Sequence, residues 1–316
     1  MVADAAYAAC LRLARQHYEN FPVASRLLPA EARPHIAAVY AFARIADDFA
    51  DEGDRSDEAR LALLDGWQAH LHRAAAGQLP ADGSDESAIF VALGETMRRC
   101  GLEVTLFDDL LSAFKQDVVT KRYQTWEELL DYCRRSANPV GRLVLRIAGY
   151  RDRQLDEWSD AVCTALQLAN FWQDLEIDWR KGRVYLPLSI VQAANADLQD
   201  LGRRRMSPEW QRALSDVTGR TRALFASGRP VADGVRGRLR WELRATWLGG
   251  MRILDKLERA KFDVFRKRPK LGGADMLPIA WRTITWQGRA QRAARGNGAP
   301  QASELGGVQG PPPIKK

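Results

Sequence analysis

Apolar residues recur every three or four positions along most of the chain, the period of a helix with one buried face. Alternating Val, Ile and Thr runs closed by Asn-Gly or Asp-Gly are missing, so no strands are expected. The pattern predicts helices over residues 3–19, 32–51, 56–76, 87–100, 103–119, 126–148, 152–180, 189–194, 208–231, 236–268 and 275–289. The punctuation agrees with these bounds. Pro22, Pro29 and Pro34 stand ahead of or at the start of the second helix, Gly77, Pro80 and Gly83 separate the third from the fourth, and Gly182 to Pro187 interrupts a long helical stretch. No fixed period repeats, which disfavours a solenoid. The expected fold is therefore all-α, a single helical domain over residues 1–289. From residue 290 the chain turns to Gly, Pro, Gln and Arg and ends in three prolines, an isoleucine and two lysines. A segment of that composition has too little apolar surface for a core and is expected to be disordered.

Composition narrows the class. With 46% apolar and 28% charged residues in 316, the chain is balanced like a soluble globular protein. No run of about 18 apolar residues offers a membrane span. The N-terminus carries Asp4 and lacks the basic-then-apolar order of a secretory signal. Cys10, Cys100, Cys133 and Cys163 lie far apart and form no CxxC pair, which fits isolated thiols in a reducing cytoplasm. The net charge of +7 suits an anionic ligand or an anionic membrane surface. Nucleic acid is not an expected partner, because no helix-turn-helix, zinc-finger or RNA-stacking motif accompanies the charge.

Two acidic stripes carry the chemistry. Asp47 and Asp51 are four residues apart and share one helical face, which Tyr40 and Arg44 extend toward the N-terminus. Around them the helix is apolar, with Ile36, Val39, Phe42, Ile45 and Phe49. In the second stripe, Gln167, Asn170, Asp174 and Asp178 are spaced three, four and four apart on a helix otherwise made of Leu166, Leu168, Phe171, Trp172, Leu175 and Ile177. Like charges at i, i+4 repel, and a cation between them removes that cost. Carboxylate and amide oxygens suit Mg²⁺, which is commonly shared with substrate phosphates. A single such pair is usually a solvated surface feature. Two pairs, each in an apolar helix, favour a metal–diphosphate site over a buried hydrogen-bonded network.

These residues resemble the squalene/phytoene synthase family of head-to-head isoprenoid synthases. The two aspartate motifs match Asp47-Asp48-Phe49-Ala50-Asp51 and Asp174-Leu175-Glu176-Ile177-Asp178, with Tyr40, Arg44, Gln167 and Asn170 ahead of them and Gly182-Arg183-Val184-Tyr185-Leu186-Pro187 behind. Asp117, Arg122-Tyr123, Tyr132-Cys133 and Pro139-Val140-Gly141 also fall in family positions, so the resemblance spans residues 7–286. It implies one all-α domain around a deep cavity. Asp47, Asp51, Asp174 and Asp178 would be the catalytic carboxylates and, with Asn170, the ligands of Mg²⁺. Phe21, Tyr40, Arg44, Gln167, Asn170, Gln173, Arg183 and Tyr185 would contact a prenyl diphosphate substrate, although salt bridges to the same aspartates are an equal alternative for Arg44 and Arg183.

Departures from the family pattern point to a branch. Glu19 and Asn20 stand where Lys or Ser is common, Gln173 replaces a frequent Arg, and a Tyr common near Met251 is not evident. The run His17-Tyr18-Glu19-Asn20-Phe21-Pro22 with Asn170-Phe171-Trp172-Gln173-Asp174 is similar to the hydroxysqualene synthases of bacterial hopanoid biosynthesis. That branch ionises presqualene diphosphate and lets water capture the rearranged cation. Polar Asn20, Gln167 and Gln173 could hold the water, and His17 is a candidate base, although a lone His at a helix end more often caps or packs. The resemblance implies cooperation with other squalene-pathway enzymes and a peripheral contact at the inner membrane face. The basic runs at 203–205 and 266–268 are expected to be solvated surface, with a membrane-facing role open because both substrate and product would be long hydrocarbons. Two alternatives stay open: condensation of two prenyl diphosphates to presqualene diphosphate, squalene or phytoene, and a non-catalytic helical protein that binds lipid or a partner.

Overall fold

Local caps fix where the helices begin. The side chains of Ser56, Ser84, Thr125, Asp152 and Ser207 each accept from a backbone N–H three residues on, supplying a partner to a helix start that has none of its own. The structure, a computed structural model, describes residues 2–16, 29–79 and 82–286. Its helices are α1 (Val2–Gln16), α2 (Arg33–Asp51), α3 (Asp57–Ala75), α4 (Asp85–Cys100), α5 (Val104–Val119), α6 (Trp126–Ser136), α7 (Asn138–Ile147), α8 (Arg153–Arg180), α9 (Leu188–Ala193), α10 (Gln199–Gly202), α11 (Pro208–Gly228), α12 (Val231–Gly234), α13 (Gly237–Arg259) and α14 (Gly273–Ile284). Among the described residues the β-structure amounts to an isolated parallel bridge between Arg122 and Val184. The expected all-α, single-domain fold is what the chain adopts. His17, Asn20, Phe21 and the tail beyond residue 289 lie outside the described residues.

One apolar core runs through the molecule from Ala6 to Phe265. At one end α1, α2 and α4 pack together, with α3 and α5 alongside. Phe42 of α2 anchors that end, stacked on Trp67 and meeting Phe90 and Phe107 edge-on. At the other end α8 is the spine against which α7 and α11 pack. Trp172 is wholly buried there, and its indole N–H donates to Thr221 Oγ1 at 2.9 Å, which removes the cost of burying a lone donor.

The structure differs from the sequence pattern where proline intervenes. Residues 126–148 form two helices, broken at Ala137 (φ −121°, ψ −43°), with Pro139 in the first turn of α7. A proline is tolerated there because first-turn N–H groups have no intrahelical partner. Pro230 likewise separates α12 from α11. The helix expected over 236–268 stops at Arg259, and Lys261 and Phe262 then take left-handed backbone (φ 50° and 62°). The segment after that turn crosses toward the C-terminal end of α8.

The contact between α11 and α8 depends on close approach. A Cβ added at Gly228 would lie 2.6 Å from the Trp158 carbonyl oxygen and 2.9 Å from the Val162 nitrogen, both backbone atoms that cannot swing aside. Gly219, on the exposed side of the same helix, has nothing within 4 Å. Gly228→Ala should therefore lower the unfolding free energy in urea by about 1–3 kcal/mol. Gly219→Ala should leave it unchanged or raise it by about 0.5–1 kcal/mol through helix propensity. Equal stabilities for the two variants would disprove the tight crossing.

Candidate functional site

Three helices end at one place, each carrying a carboxylate in its last turn. Asp51 closes α2, Asp117 lies near the end of α5, and Asp178 lies near the end of α8. Helix C-termini already present partial negative charge, so acidic side chains there are unfavourable unless a cation answers them. The amphipathic pattern explains their exposure. Phe42, Ala46 and Ala50 turn the opposite face of α2 into the core, leaving Asp47 and Asp51 half-buried on its rim. Leu168, Phe171, Trp172 and Leu175 do the same for α8, with Asp174 and Asp178 left on its rim.

α2 and α8 do not pack side by side; a cation spans the space between their ends. Gly182 takes left-handed backbone (φ 77°) and turns the chain back after α8. Arg183 then reaches Asp51 through Nη2 (2.5 Å) and Nη1 (3.0 Å), a bidentate pair, and Nη2 also donates to the Asp117 carbonyl oxygen. Lys181 Nζ lies 3.2 Å from Asp51. Residues 184–189 are tied to 121–124 by N–H groups of Val184, Leu188 and Ser189 donating to carbonyls of Lys121, Tyr123 and Gln124. Beneath this lies an aromatic platform. Tyr185 stacks on Phe171 with ring centroids 3.8 Å apart, and Tyr123 and Tyr132 pack on Tyr185. Tyr132 donates its O–H to Asp117 Oδ2 (2.6 Å) and Tyr185 donates to Oδ1 (3.3 Å).

The electrostatics are those of crowded like charge. Burial, the Asp51 charge and a smaller push from Asp117 raise the Asp47 carboxyl to about 6, against the Arg44 cation. Burial raises Asp117 to about 6 despite the Tyr132 hydrogen bond and Arg183. Burial and then Asp174 raise Asp178 to about 7, and Asp51 adds to that push from the facing helix. Asp51 goes the other way: burial would raise it, but the Arg183 and Lys181 contacts outweigh that and hold it below the ordinary carboxylate range. Asp174 is paired with Arg268, whose Nη2 lies 3.0 Å from Oδ2.

With this geometry in view, known proteins fall into line. A family model described as squalene/phytoene synthase matches residues 14–275. The chain belongs to that family. The hydroxysqualene synthase of Zymomonas mobilis is 41% identical over 210 residues, 66% of this chain and 67% of that protein. The hydroxysqualene synthase of Rhodopseudomonas palustris is 37% identical over 230 residues, 72% of this chain and 75% of that one. The crystal structure of squalene synthase HpnC from Alicyclobacillus acidocaldarius superposes with a TM-score of 0.76 at 40% identity, covering 82% of this chain and 95% of that one.

The donor set of this family member fits a hard divalent cation. Every candidate ligand is a hard oxygen, and raised carboxyl pKa values mark negative charge that a cation would relieve. Among the described residues no group of three or more acidic, His or Cys side chains forms a ready-made cage, so an ion would be completed by water or phosphate oxygens. Among the described residues Arg44 Nε and Arg183 Nε are buried without a hydrogen-bond partner, two donors suited to an anion.

The remaining sequence-predicted residues are placed as follows. Arg44 pairs with Asp48 (2.6 Å) more closely than with Asp47 (3.4 Å). Asn170 is exposed and Gln167 and Tyr40 are half-buried on the same two helix faces. Gln173 donates to the Pro269 carbonyl oxygen at 2.6 Å. The basic runs are largely exposed, as expected, and three of their arginines are also paired: Arg268 with Asp174, Arg204 with Glu176, and Arg205 with Asp200. Helical spacing alone does not mark Arg268 or Lys181 as site residues. For Asp117 the sequence offers its family position and a lone acid at an apolar-periodic position after Leu110, Leu111 and Phe114, but no role.

A pH dependence follows. Asp47, Asp117 and Asp178 have folded-state pKa values above the ordinary carboxylate value, so their neutral forms favour folding. That contribution is complete below about pH 4 and is lost as pH rises through 6 to 7. Asp51 works oppositely, supporting the fold above its unfolded pKa and failing in acid. In metal-free protein, Asp178→Asn should raise the melting temperature most at about pH 8 and progressively less as the pH falls, the difference vanishing only toward about pH 4, where Asp178 is protonated in both the folded and the unfolded chain. An equal displacement at both pH values, measured by calorimetry, would contradict the crowding.

Proposed function

We propose that this protein converts presqualene diphosphate to hydroxysqualene with release of inorganic diphosphate. The observation that carries the reading is the convergence of Asp51, Asp117 and Asp178 with Arg183, in a chain 41% identical to a protein named hydroxysqualene synthase. In the first step the carbon–oxygen bond to the diphosphate breaks, and the diphosphate leaves with the electron pair. Mg²⁺, when bound, supplies the positive charge that neutralises the departing diphosphate. Asp47, Asp51, Asp174, Asp178 and Asn170 are its proposed ligands. Arg44 and Arg183 hold the diphosphate through guanidinium N–H groups, including the two Nε donors that otherwise lack partners.

The cyclopropylcarbinyl cation then rearranges and is captured by water, whose oxygen forms the new carbon–oxygen bond and loses one proton. Gln167 and Gln173 are the polar groups proposed to position that water. The amide of Gln173 is held by its bond to the Pro269 carbonyl, which leaves its side-chain oxygen as an acceptor. Phe21 and Tyr40 complete the proposed substrate contacts. Substrate and product are long hydrocarbons, so the protein would work beside the cytoplasmic face of the inner membrane. It would follow an enzyme that builds presqualene diphosphate and precede one that reduces the alcohol.

Purified protein incubated with presqualene diphosphate, Mg²⁺ and oxygen-18 water, without a nicotinamide, should give a labelled tertiary alcohol. Unlabelled alcohol, squalene formed only with NADPH, or presqualene diphosphate formed from farnesyl diphosphate would assign the chain to another branch of its family.

A further inference from the structure

We propose that the outer face of α14 docks on an anionic lipid bilayer. On this helix Leu277 is 81% exposed, Trp281 67%, Ile284 65% and Met276 46%. Leu277, Trp281 and Ile284 are spaced i, i+4, i+7 and so form one stripe. The stripe lies opposite the buried side of the helix, where Asp275 and Thr283 face the protein. Asp275 accepts from Arg252 at 2.8 Å, pairs with Lys256, and also takes the Gly272 N–H, which pins the helix in this orientation. Single exposed apolar residues are ordinary on a soluble protein. Four on one helix, with exposed Leu271 just ahead of it, form a surface that no described residue covers.

Charge identifies what covers that surface. Residues 264–286 contain Arg266, Lys267, Arg268, Lys270 and Arg282 and a single acidic residue, the buried Asp275. Arg266, Lys267, Lys270 and Arg282 are exposed. A second copy docking by two-fold symmetry would bring these like charges together. An anionic bilayer supplies the opposite charge and accepts the apolar stripe, with Trp281 suited to the headgroup boundary. No helix among the described residues is long and apolar enough to cross a membrane, so the contact is one of lying on the surface.

Position gives the surface a use that rests on the proposed function. Arg268 pairs with Asp174 and the Pro269 carbonyl accepts from Gln173, and α14 begins at Gly273. The docking helix is thus tethered by a few residues to the acidic end of α8, which would bring a hydrocarbon substrate from the bilayer to the site.

The test is co-sedimentation of the full chain with vesicles of phosphatidylcholine, with and without phosphatidylglycerol. The protein should sediment with the phosphatidylglycerol vesicles. Leu277→Glu/Trp281→Glu should bind them at least about tenfold more weakly, having lost one aliphatic and one aromatic anchor. The basic residues beyond Trp286 remain in this variant, so full binding by it would overturn the proposal. So would a wild-type protein that binds neither vesicle, or one that is a dimer by sedimentation velocity and a monomer in the variant. If the Glu pair lowers the melting temperature, Leu277→Gln/Trp281→Gln serves in its place. Binding is read without turnover, so a failure here is distinct from a failure of the proposed reaction.

Discussion

Unbalanced negative charge in a poorly solvated place governs this molecule. Asp47, Asp51, Asp117, Asp174 and Asp178 bear on one another at the ends of three helices whose own dipoles add to the repulsion. Arg183 and Lys181 answer Asp51, and Arg268 answers Asp174, but Asp47, Asp117 and Asp178 stay raised toward neutrality. A fold arranged only for stability would not gather acids at helix C-termini. On the function proposed above, the cost is intelligible as readiness for a cation and its anionic partner, the condition that ionisation of a cyclopropylcarbinyl diphosphate requires.

The rest of the scaffold maintains that condition. Two distant parts of the chain, 121–124 and 184–189, are laced together by backbone hydrogen bonds, which fixes Arg183 and Tyr185 against Asp117. Asp117 is buried beside the stacked Phe171 and Tyr185. The carboxylate takes its hydrogen bonds from two tyrosines. Tight crossing of α11 on α8 through Gly228 anchors the other end of the helix that carries Asp174 and Asp178.

Much of this was legible in the sequence because it is local. Both acidic stripes follow from helical spacing, and the family resemblance rests on residues within those stripes. The all-α reading and most helix positions follow from one period. What sequence spacing does not give is pairing between distant segments. Arg268 and Asp174 are 94 residues apart, and Arg183 and Asp51, a pairing the sequence leaves open only as an alternative to diphosphate contact, are 132 apart; in each case the cation is brought to the acid by a turn after a helix. Asp117 stood in plain view as a lone acid on an apolar face, a pattern that is informative only once its neighbours are known. The split at Ala137 escaped because a proline in a first turn leaves the apolar period on either side intact.

The account stands or falls on metal and diphosphate binding as one unit. Titration calorimetry of the substrate-free protein should show weak or no heat with Mg²⁺ alone and weak binding of inorganic diphosphate alone. The two together should bind strongly, and Asp47→Asn/Asp178→Asn should abolish that joint binding while the far-ultraviolet dichroism is unchanged. Diphosphate binding that is equally tight without Mg²⁺, or that survives in the folded double variant, would contradict the claim that these carboxylates await a shared cation.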